Sequence, residues 1–338
     1  MVGAWQGLDG GARLPGALPG ALIVAGPTCS GKSALALELA ERLGGAVINA
    51  DSMQVYRDLY ILTARPSPAD EARAPHALYG VRSAAKPGSA AWWRGAALDA
   101  MAQAAEAGRV PILCGGTGMY LAALTQGIAD IPGPGAGARA EARALLASEG
   151  PAALHARLAA ADPDTAAMLR PNDSQRLARA WEVWRGTGQG LAAWRRAAPA
   201  PAPWVFRMIL LDPPRPVLRS AIAARFAVML EAGALEEVRA LLALGLDPAV
   251  PAMRAHGVPE LAAYLSGGTT TLREAARLAE LATGQYTKRQ ATWFRGRSPV
   301  VPSLTHTIHA RFEGSTQFSE REWCGLILFV KGMVDAAG

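Results

Sequence analysis

The feature that most constrains this chain is a glycine-rich motif at residues 26–33. It fits the phosphate-binding pattern G-x-x-x-x-G-K-[ST], and it has the sequence context that this pattern requires. A short apolar run at residues 21–25 precedes the motif and predicts a buried strand. Residues 33–43 follow it with leucine at helical spacing. A strand, a tight glycine turn and a helix in this order predict a phosphate loop in an α/β fold.

The chemistry of such a loop follows from its backbone. Glycine lets successive N–H groups turn toward one anion, and the N-terminus of the following helix adds a partial positive charge. Lys32 supplies a full positive charge, and the hydroxyl of Ser33 is a ligand for Mg²⁺, the one cofactor that we expect. We predict that a phosphate group binds to Gly26, Pro27, Thr28, Cys29, Ser30, Gly31, Lys32 and Ser33.

Further apolar runs extend this pattern into a sheet. Residues 46–50, 110–114 and 205–211 are predicted strands, and residues 90–107 are a predicted helix. Strands that alternate with helices form parallel sheets with right-handed crossovers. Residues 136–196 instead have an almost wholly helical pattern. The predicted fold class is therefore α/β, a P-loop core with a parallel sheet flanked by helices, plus a helical insertion domain.

Proline- and glycine-rich stretches divide the chain into segments. A break at residues 132–135 begins the insertion, and a Pro/Ala-rich linker at residues 197–203 ends it. Residues 298–338 have weak periodicity and receive no functional assignment. The predicted organisation is a loose leader at 1–20, a P-loop catalytic core at 21–132, a helical insertion at 133–200, the remainder of the core with a basic helix at 201–297, and the unassigned tail at 298–338.

The positive charge of the chain is concentrated in two stretches. The net charge is +6. Residues 170–196 hold six arginines against one aspartate and one glutamate, and residues 288–297 hold four basic residues and no acidic one. Two basic stretches on a nearly neutral body indicate a polyanionic partner, with solvated helix faces as the alternative.

Composition also indicates the class of protein and its cellular compartment. Hydrophobic residues make up 51% of the chain, which excludes a disordered protein. The three cysteines are widely spaced, with no C-x-x-C pair, as expected in a reducing cytosol. No apolar run approaches the roughly 18 residues that a membrane span requires. We expect a cytoplasmic, monomeric protein that does not associate with membranes.

The phosphate loop alone leaves the reaction open. Most P-loops bind ATP or GTP, and a nucleotide-hydrolysing site needs an aspartate at the end of an apolar strand. Asp51 and Asp212 are candidates, whereas the strand at 110–114 runs into Gly-Gly-Thr-Gly without an acid. A small-molecule or nucleotide kinase that uses ATP therefore stays an alternative. An RNA-binding protein with a non-functional P-loop is a third.

Four segments, taken in order, resemble the tRNA dimethylallyltransferases, also called tRNA isopentenyltransferases. Lesser matches lie at residues 63–66, 175–179 and 254–258, and the resemblance covers about residues 21–297. The four segments are the loop at 26–33, Asp-Ser-Met-Gln-Val-Tyr at 51–56, Gly-Gly-Thr-Gly-Met-Tyr at 115–120 and Lys-Arg-Gln-Ala-Thr-Trp-Phe-Arg at 288–295.

The resemblance implies a specific reaction. Such enzymes transfer a dimethylallyl group from dimethylallyl diphosphate to the exocyclic amine of the adenosine 3′ of the tRNA anticodon, with Mg²⁺ and without ATP. Asp51 ends a predicted strand, where ligands bind in open α/β sheets, and we assign it as the general base. A helix N-cap or a ligand of Mg²⁺-bound water is the alternative. Lys32 and Thr117 complete the predicted catalytic set, and Arg225 is placed near the diphosphate.

Recognition of a tRNA anticodon stem-loop needs further contacts. A stacked base must be flipped out to reach a buried carboxylate, and contacts to the rest of the loop must offset that cost. Two helical faces suit phosphates and splayed bases, one around residues 175–179 and one around residues 288–295. The predicted tRNA-binding residues are Asp51, Ser52, Met53, Gln54, Thr117, Arg139, Gln175, Arg176, Leu177, Ala178, Arg179, Arg254, His256, Lys288, Arg289, Gln290, Thr292, Trp293 and Arg295.

Three positions depart from the family pattern. Leu62 stands where glycine is usual, and Ala221 and Gly284 stand where arginine is common. The first predicts a reshaped turn. The other two predict weaker contacts with diphosphate or tRNA.

Overall fold

The structure, a computed structural model, describes residues 18–197, 200–268 and 271–335. Most of the predicted leader at 1–20 lies outside the described residues. The chain forms two compact units, one of Met1–Thr125 with Ala202–Gly338 and one of Gln126–Pro201. The second unit begins seven residues before the insertion predicted at 133–200. No helix in the described ranges is long and apolar enough to cross a membrane.

The first unit is built on one sheet, and its described strands are all parallel. The strand order is β3-β2-β4-β1-β5-β6. The four predicted strands are confirmed, and two short edge strands join them. The strands are β1 (Gly20–Ala25), β2 (Gly45–Asn49), β3 (His76–Ala77), β4 (Val110–Gly115), β5 (Val205–Leu211) and β6 (Thr305–Ile308).

Helices cover both faces of this sheet and form the second unit. Three short 3₁₀ turns, at Pro251–Arg254, Pro302–Leu304 and Ser315–Gln317, complete the described elements. The helices are α1 (Lys32–Leu43), α2 (Pro68–Arg73), α3 (Ala90–Glu106), α4 (Gly118–Thr125), α5 (Gly135–Ala161), α6 (Pro163–Ala166), α7 (Ser174–Thr187), α8 (Leu191–Arg196), α9 (Arg215–Glu231), α10 (Ala234–Ala243), α11 (Val258–Leu265), α12 (Leu272–Gly296) and α13 (Glu320–Asp335).

Alternate residues of the central strands point to opposite hydrophobic layers. Ile23 of β1 packs with α3, α9 and α12, whereas Leu22 and Val24 pack with α1 and α13. The second layer includes Trp323 and Leu326, which belong to the tail that received no assignment. The tail at 298–335 therefore completes the core of the first unit through β6 and α13.

The second unit is helical, as predicted. Helix α5 bends at Gly150, which has a φ of 78°, before Pro151, because proline cannot continue the hydrogen-bond ladder. Its core joins α5 to α7 and contains Leu154, Leu158 and Leu177. The structure corrects one tRNA-binding prediction here. Leu177 is fully buried, so its side chain stabilises α7 and is not exposed to a ligand.

The parallel topology brings three turns to one edge of the sheet. The turns after β1, β2 and β4 leave the carboxyl ends of neighbouring strands. Ligands bind at this edge in open α/β sheets. The phosphate loop, Asp51 and Thr117 lie on these turns, so the fold places the predicted catalytic residues together.

Candidate active site

The phosphate loop joins β1 to α1 in the geometry of an anion site. Gly31 precedes the helix with a φ of 88°, and no side chain caps the first turn. The first N–H groups of a helix have no partner within the helix, so those of α1 are available to a phosphate group. The ammonium of Lys32 lies 3.4 Å from the carbonyl oxygen of Pro27. The amide of Ser30 is used inside the loop, where it donates to the same oxygen.

Gln290 holds the loop from α12. Its Oε1 accepts the backbone N–H of Thr28 at 2.9 Å, and its Nε2 donates to the carbonyl oxygen of Gly116 at 3.0 Å. The side chain is 4% exposed. The prediction that Gln290 binds tRNA is therefore wrong for its side chain, because both ends of the carboxamide are engaged inside the protein. Gln290 instead joins the turns after β1 and β4.

The tail holds the loop from the other side. The N–H of Phe312 donates to the carbonyl oxygen of Ser30 at 2.9 Å, and Nε of Arg311 donates to that of Cys29 at 3.2 Å. Phe312 lies so close to Gly31 that a Cβ on this glycine would collide with its carbonyl group. Sequence reasoning missed these contacts, since the tail has no motif and weak periodicity.

Asp51 and Thr117 belong to two turns that are joined by hydrogen bonds. Thr117 Oγ1 accepts the N–H of Ser52 at 3.0 Å, and the N–H of Thr117 reaches the carbonyl oxygen of Ala50 at 3.3 Å. Asp51 Oδ1 accepts the N–H of Met53 at 2.9 Å. The N-cap alternative for Asp51 is wrong, because turns follow this residue and the next helix begins at Pro68.

A cavity of about 810 Å³ is lined by part of the phosphate loop and by Asp51 and Ser52, whereas Thr117 is not among its lining residues. The residues that line it include the cations Lys32 and Arg225 and the carboxylate of Asp51. Another part of the wall is apolar. Its side chains are Ile61, Leu62, Ala221, Ile222, Phe226, Val228 and Met229.

An aromatic pair closes part of the cavity wall. The rings of His256 and Tyr286 are 4.7 Å apart, and the guanidinium of Arg289 lies 5.5 Å from the centre of the Tyr286 ring. Burial raises the pKa of Tyr286 to about 12 and lowers the pKa of His256 below its usual value. Tyr286 is a cavity residue that sequence reasoning did not select, although it lies three positions before Arg289 on the same helix.

Other predicted tRNA-binding residues have different exposures. In the first unit, Arg254, Lys288 and Thr292 are exposed. Trp293 is half-buried against Gly118, where a Cβ would collide with the indole. Arg295 is 61% exposed and forms a bidentate ion pair with Asp212. In the second unit, the exposed members are Arg139, Gln175, Arg176 and Arg179, and Ala178 is half-buried.

Gln54 supports a neighbouring loop, and the three positions that depart from the family pattern have different surroundings. Gln54 Nε2 donates to the carbonyl oxygens of Thr63 and Ala64, both at 2.9 Å, so it supports the loop that carries Leu62. Leu62 and Ala221 both line the cavity. At Gly284, a Cβ would meet nothing within 4 Å, so glycine is not required there by its neighbours.

The residues that line the cavity fit a Mg²⁺ ion that takes most of its ligands from a bound phosphate compound and water. No group of three or more acidic, histidine or cysteine side chains that could hold a metal occurs in the part of the chain that the structure describes. Mg²⁺ commonly takes one or two protein oxygens together with phosphate oxygens and water. The hydroxyl of Ser33, in the first turn of α1, is such an oxygen.

The sequence matches two family models. The model described as IPP transferase matches residues 54–297, and the one described as isopentenyl transferase matches residues 19–79. The first match covers well over half of the chain. The chain belongs to the IPP transferase family. It is therefore an enzyme of a prenyltransferase family, as the four sequence segments predicted, and the kinase alternative is not favoured.

Individual members of the family are similar over most of their length. A tRNA dimethylallyltransferase from Granulibacter bethesdensis is 61% identical over 312 residues, covering 92% of this chain and 98% of that protein. One from Gluconacetobacter diazotrophicus is 60% identical over 316 residues, covering 93% and 95%.

Solved structures of the IPP transferase family share the fold. The full-length tRNA isopentenylpyrophosphate transferase from Bacillus halodurans is 31% identical, with a TM-score of 0.64 and coverage of 94% of this chain and 97% of that one. A eukaryotic dimethylallyltransferase acting on tRNA is 24% identical, with a TM-score of 0.75 and coverage of 90% and 77%. The predicted fold class is confirmed.

Proposed function

We propose that this enzyme transfers a dimethylallyl group from dimethylallyl diphosphate to the exocyclic amine of the adenosine 3′ of the tRNA anticodon. One observation carries the proposal. A single cavity combines the cations Lys32 and Arg225, an apolar wall and a carboxylate. A diphosphate ester with a short hydrocarbon tail needs the first two features, and an amine that loses a proton needs the third.

The two ends of the donor match the two kinds of residue that line the cavity. The diphosphate lies at the N-terminus of α1, next to Lys32 and Arg225, where the backbone N–H groups and both cations offset its charge. The dimethylallyl group lies against the apolar wall, which includes Ile222, Phe226 and Met229. Mg²⁺ held by Ser33 and the diphosphate would neutralise further negative charge on the leaving group.

Transfer then requires three events. The C–O bond to the diphosphate breaks, and the bonding electrons stay with the diphosphate. The purine amine attacks the allylic carbon and forms the new C–N bond. Asp51 accepts the proton that the nitrogen loses, and Thr117, bonded to Ser52, orients the amine. Cations at the phosphate loop lower the barrier because they neutralise charge that develops as the bond breaks.

The kinase alternative has less support from the site. Asp212 is the second carboxylate that could hold the metal of a nucleotide-hydrolysing site. Both its oxygens accept hydrogen bonds from Arg295, at 2.9 and 3.0 Å. An aspartate in a bidentate ion pair is a poor ligand for a further cation.

Incubation with tRNA and labelled dimethylallyl diphosphate tests the proposal, with labelled ATP as the control donor. We expect the prenyl label in tRNA, at the adenosine next to the anticodon, with release of diphosphate. Transfer of phosphate from ATP to any acceptor, with no prenyl label in tRNA, would contradict the proposal. A tRNA with guanosine at that position is the matched acceptor control, and it should stay unlabelled.

The anticodon stem-loop as the bound part of tRNA, the compartment and the oligomeric state stay predictions. The anticodon stem-loop is the expected part of tRNA because the base must be unpaired to enter the cavity. The free thiols of Cys29, Cys114 and Cys324 agree with a reducing cytoplasm. Size-exclusion chromatography with light scattering would test the expected monomer.

A further inference from the structure

The tail after α12 supplies a third cation to the phosphate loop. Arg311 follows β6 and lines the same cavity as Lys32 and Arg225. It lies outside the residues 54–297 and 19–79 that match the two family models. Its guanidinium is therefore a charged group at the candidate diphosphate site that no sequence motif of the chain includes.

Two guanidinium groups approach Cys29 from different elements. Nε of Arg311 lies 3.2 Å from the carbonyl oxygen of Cys29, and Nη1 of Arg225 in α9 lies 3.9 Å from its sulfur. In the ranges that the structure describes, neither Arg225 nor Lys32 has an ion-pair partner. Three neighbouring cations repel one another, so a multivalent anion at the loop would be strongly favoured.

The backbone around Arg311 is held in place. Gln317 accepts the N–H of Glu313 at 2.8 Å and donates to the carbonyl oxygen of Arg311 at 2.9 Å. Phe312 is 2% exposed, and its ring lies 5.6 Å from that of Phe318. The guanidinium is therefore presented from a rigid segment, which reduces the entropy lost when it binds a ligand.

The ionic partner of Arg311 can be displaced. Nη1 of Arg311 lies 2.7 Å from Oε1 of Glu313, whose side chain is 67% exposed. An exposed ion pair of this kind contributes little free energy. A diphosphate carries more negative charge than one carboxylate, so it can replace Glu313 as the partner of the Arg311 guanidinium.

We propose that Arg311 binds the diphosphate group of the donor, and that Glu313 weakens this binding by competing for the guanidinium. The inference rests on the proposed function, because it concerns the same donor site. It assigns to the tail a role in substrate binding besides its role in the core.

Calorimetric titration of the full chain with inorganic pyrophosphate and Mg²⁺ tests this assignment. Arg311→Ala should weaken pyrophosphate binding roughly 10-fold or more, the scale of one lost hydrogen bond to a charged group. Arg311→Lys keeps the charge and should retain most of the affinity. Glu313→Gln should tighten binding, and it should have no effect when Arg311 is already alanine. Arg321→Ala, at an exposed position of α13, is the matched control and should bind as the wild type does.

The outcomes separate the inference from the proposed function. Wild-type protein that does not bind pyrophosphate would contradict the proposed donor site itself. Wild-type binding with no effect of Arg311→Ala or Glu313→Gln would overturn the inference alone. An equal loss in Arg311→Lys and Arg311→Ala would also overturn it, because the hydrogen bond to Cys29 would then matter and the charge would not. Thermal unfolding of each variant shows whether it is folded, and Glu313→Gln changes only an exposed side chain.

Discussion

The carboxylate of Asp51 has a structural hydrogen bond as well as its proposed role as the base. Oδ1 accepts the N–H of Met53 and shapes the turn after β2. Asparagine can make the same bond, because its side-chain oxygen occupies the same place. A change from Asp51 to asparagine therefore removes the base and keeps the turn, which makes it a clean test of the chemistry.

We expect Asp51→Asn to lower the rate of prenyl transfer by about 10²–10⁴-fold and to leave tRNA affinity nearly unchanged. The amine must lose a proton, and asparagine cannot accept it. Single-turnover kinetics with saturating donor measures the chemical step. Asp99→Asn, at an exposed position of α3, is the control. A rate for Asp51→Asn equal to that of the control would show that Asp51 is not the base.

His256 predicts a dependence of stability on pH. Burial lowers its pKa in the folded protein below the ordinary value of 6.5. Well above pH 6.5 the side chain is neutral in both the folded and the unfolded state. As the pH falls below that value, the unfolded chain takes up the proton first, so the free energy of unfolding decreases.

Urea denaturation of wild type and His256→Gln across this pH range checks the prediction. The variant should lose less stability than the wild type as the pH falls, because it lacks the titrating group. His309→Gln, at an exposed position, is the matched control. Parallel curves for wild type and His256→Gln would contradict the expected burial of the imidazole.

At the scale of elements, α7 and α12 combine structural and exposed faces. In α7, Leu177 and Trp181 enter the core of the second unit, while Arg176 and Arg179 stay exposed. In α12, Gln290 and Phe294 are buried, while Lys288 is exposed. The helical period of 3.6 residues separates these faces, so the basic residues of each helix lie on its exposed face.

We expect binding of an anticodon stem-loop to weaken steeply with salt. Each phosphate contact releases counterions and adds about 0.7 to the slope for single strands. Arg176→Ala and Lys288→Ala should each reduce the slope by roughly one unit. Fluorescence titrations across a salt series measure it. Arg273→Ala, an exposed change at the start of α12, should leave the slope intact. A flat slope in the wild type would show that these residues are only solvated surface.

At the scale of the whole molecule, the tail belongs to the core of the first unit. Trp323 of α13 is 5% exposed, and it packs against Phe312 and Phe318 in the layer that contains Leu35 of α1. Stability of the sheet and the geometry of the phosphate loop therefore depend on the same segment.

We expect Trp323→Ala to reduce the free energy of unfolding by about 3–5 kcal/mol, the usual cost of removing a buried tryptophan. Leu328→Ala on the same helix is the control, since Leu328 is 68% exposed and should change stability by less than about 0.5 kcal/mol. Urea denaturation measures both. Equal stabilities would mean that α13 is not part of the cooperative core.

Local sequence patterns were enough to predict the central strands and the phosphate loop of this protein. The phosphate loop, four strands and the positions of Asp51 and Thr117 follow from residue periodicity, glycine geometry and the rule that ligands bind at carboxyl ends of parallel strands. Only the tertiary structure assigned Gln290 to the interior, because its partner Thr28 is 262 residues away and no local pattern records that pairing. The same holds for Arg311 and Phe312, whose segment has no motif and reaches the loop only because β6 joins the sheet beside β5. Backbone preferences act between near neighbours in sequence, whereas these contacts depend on how distant elements pack.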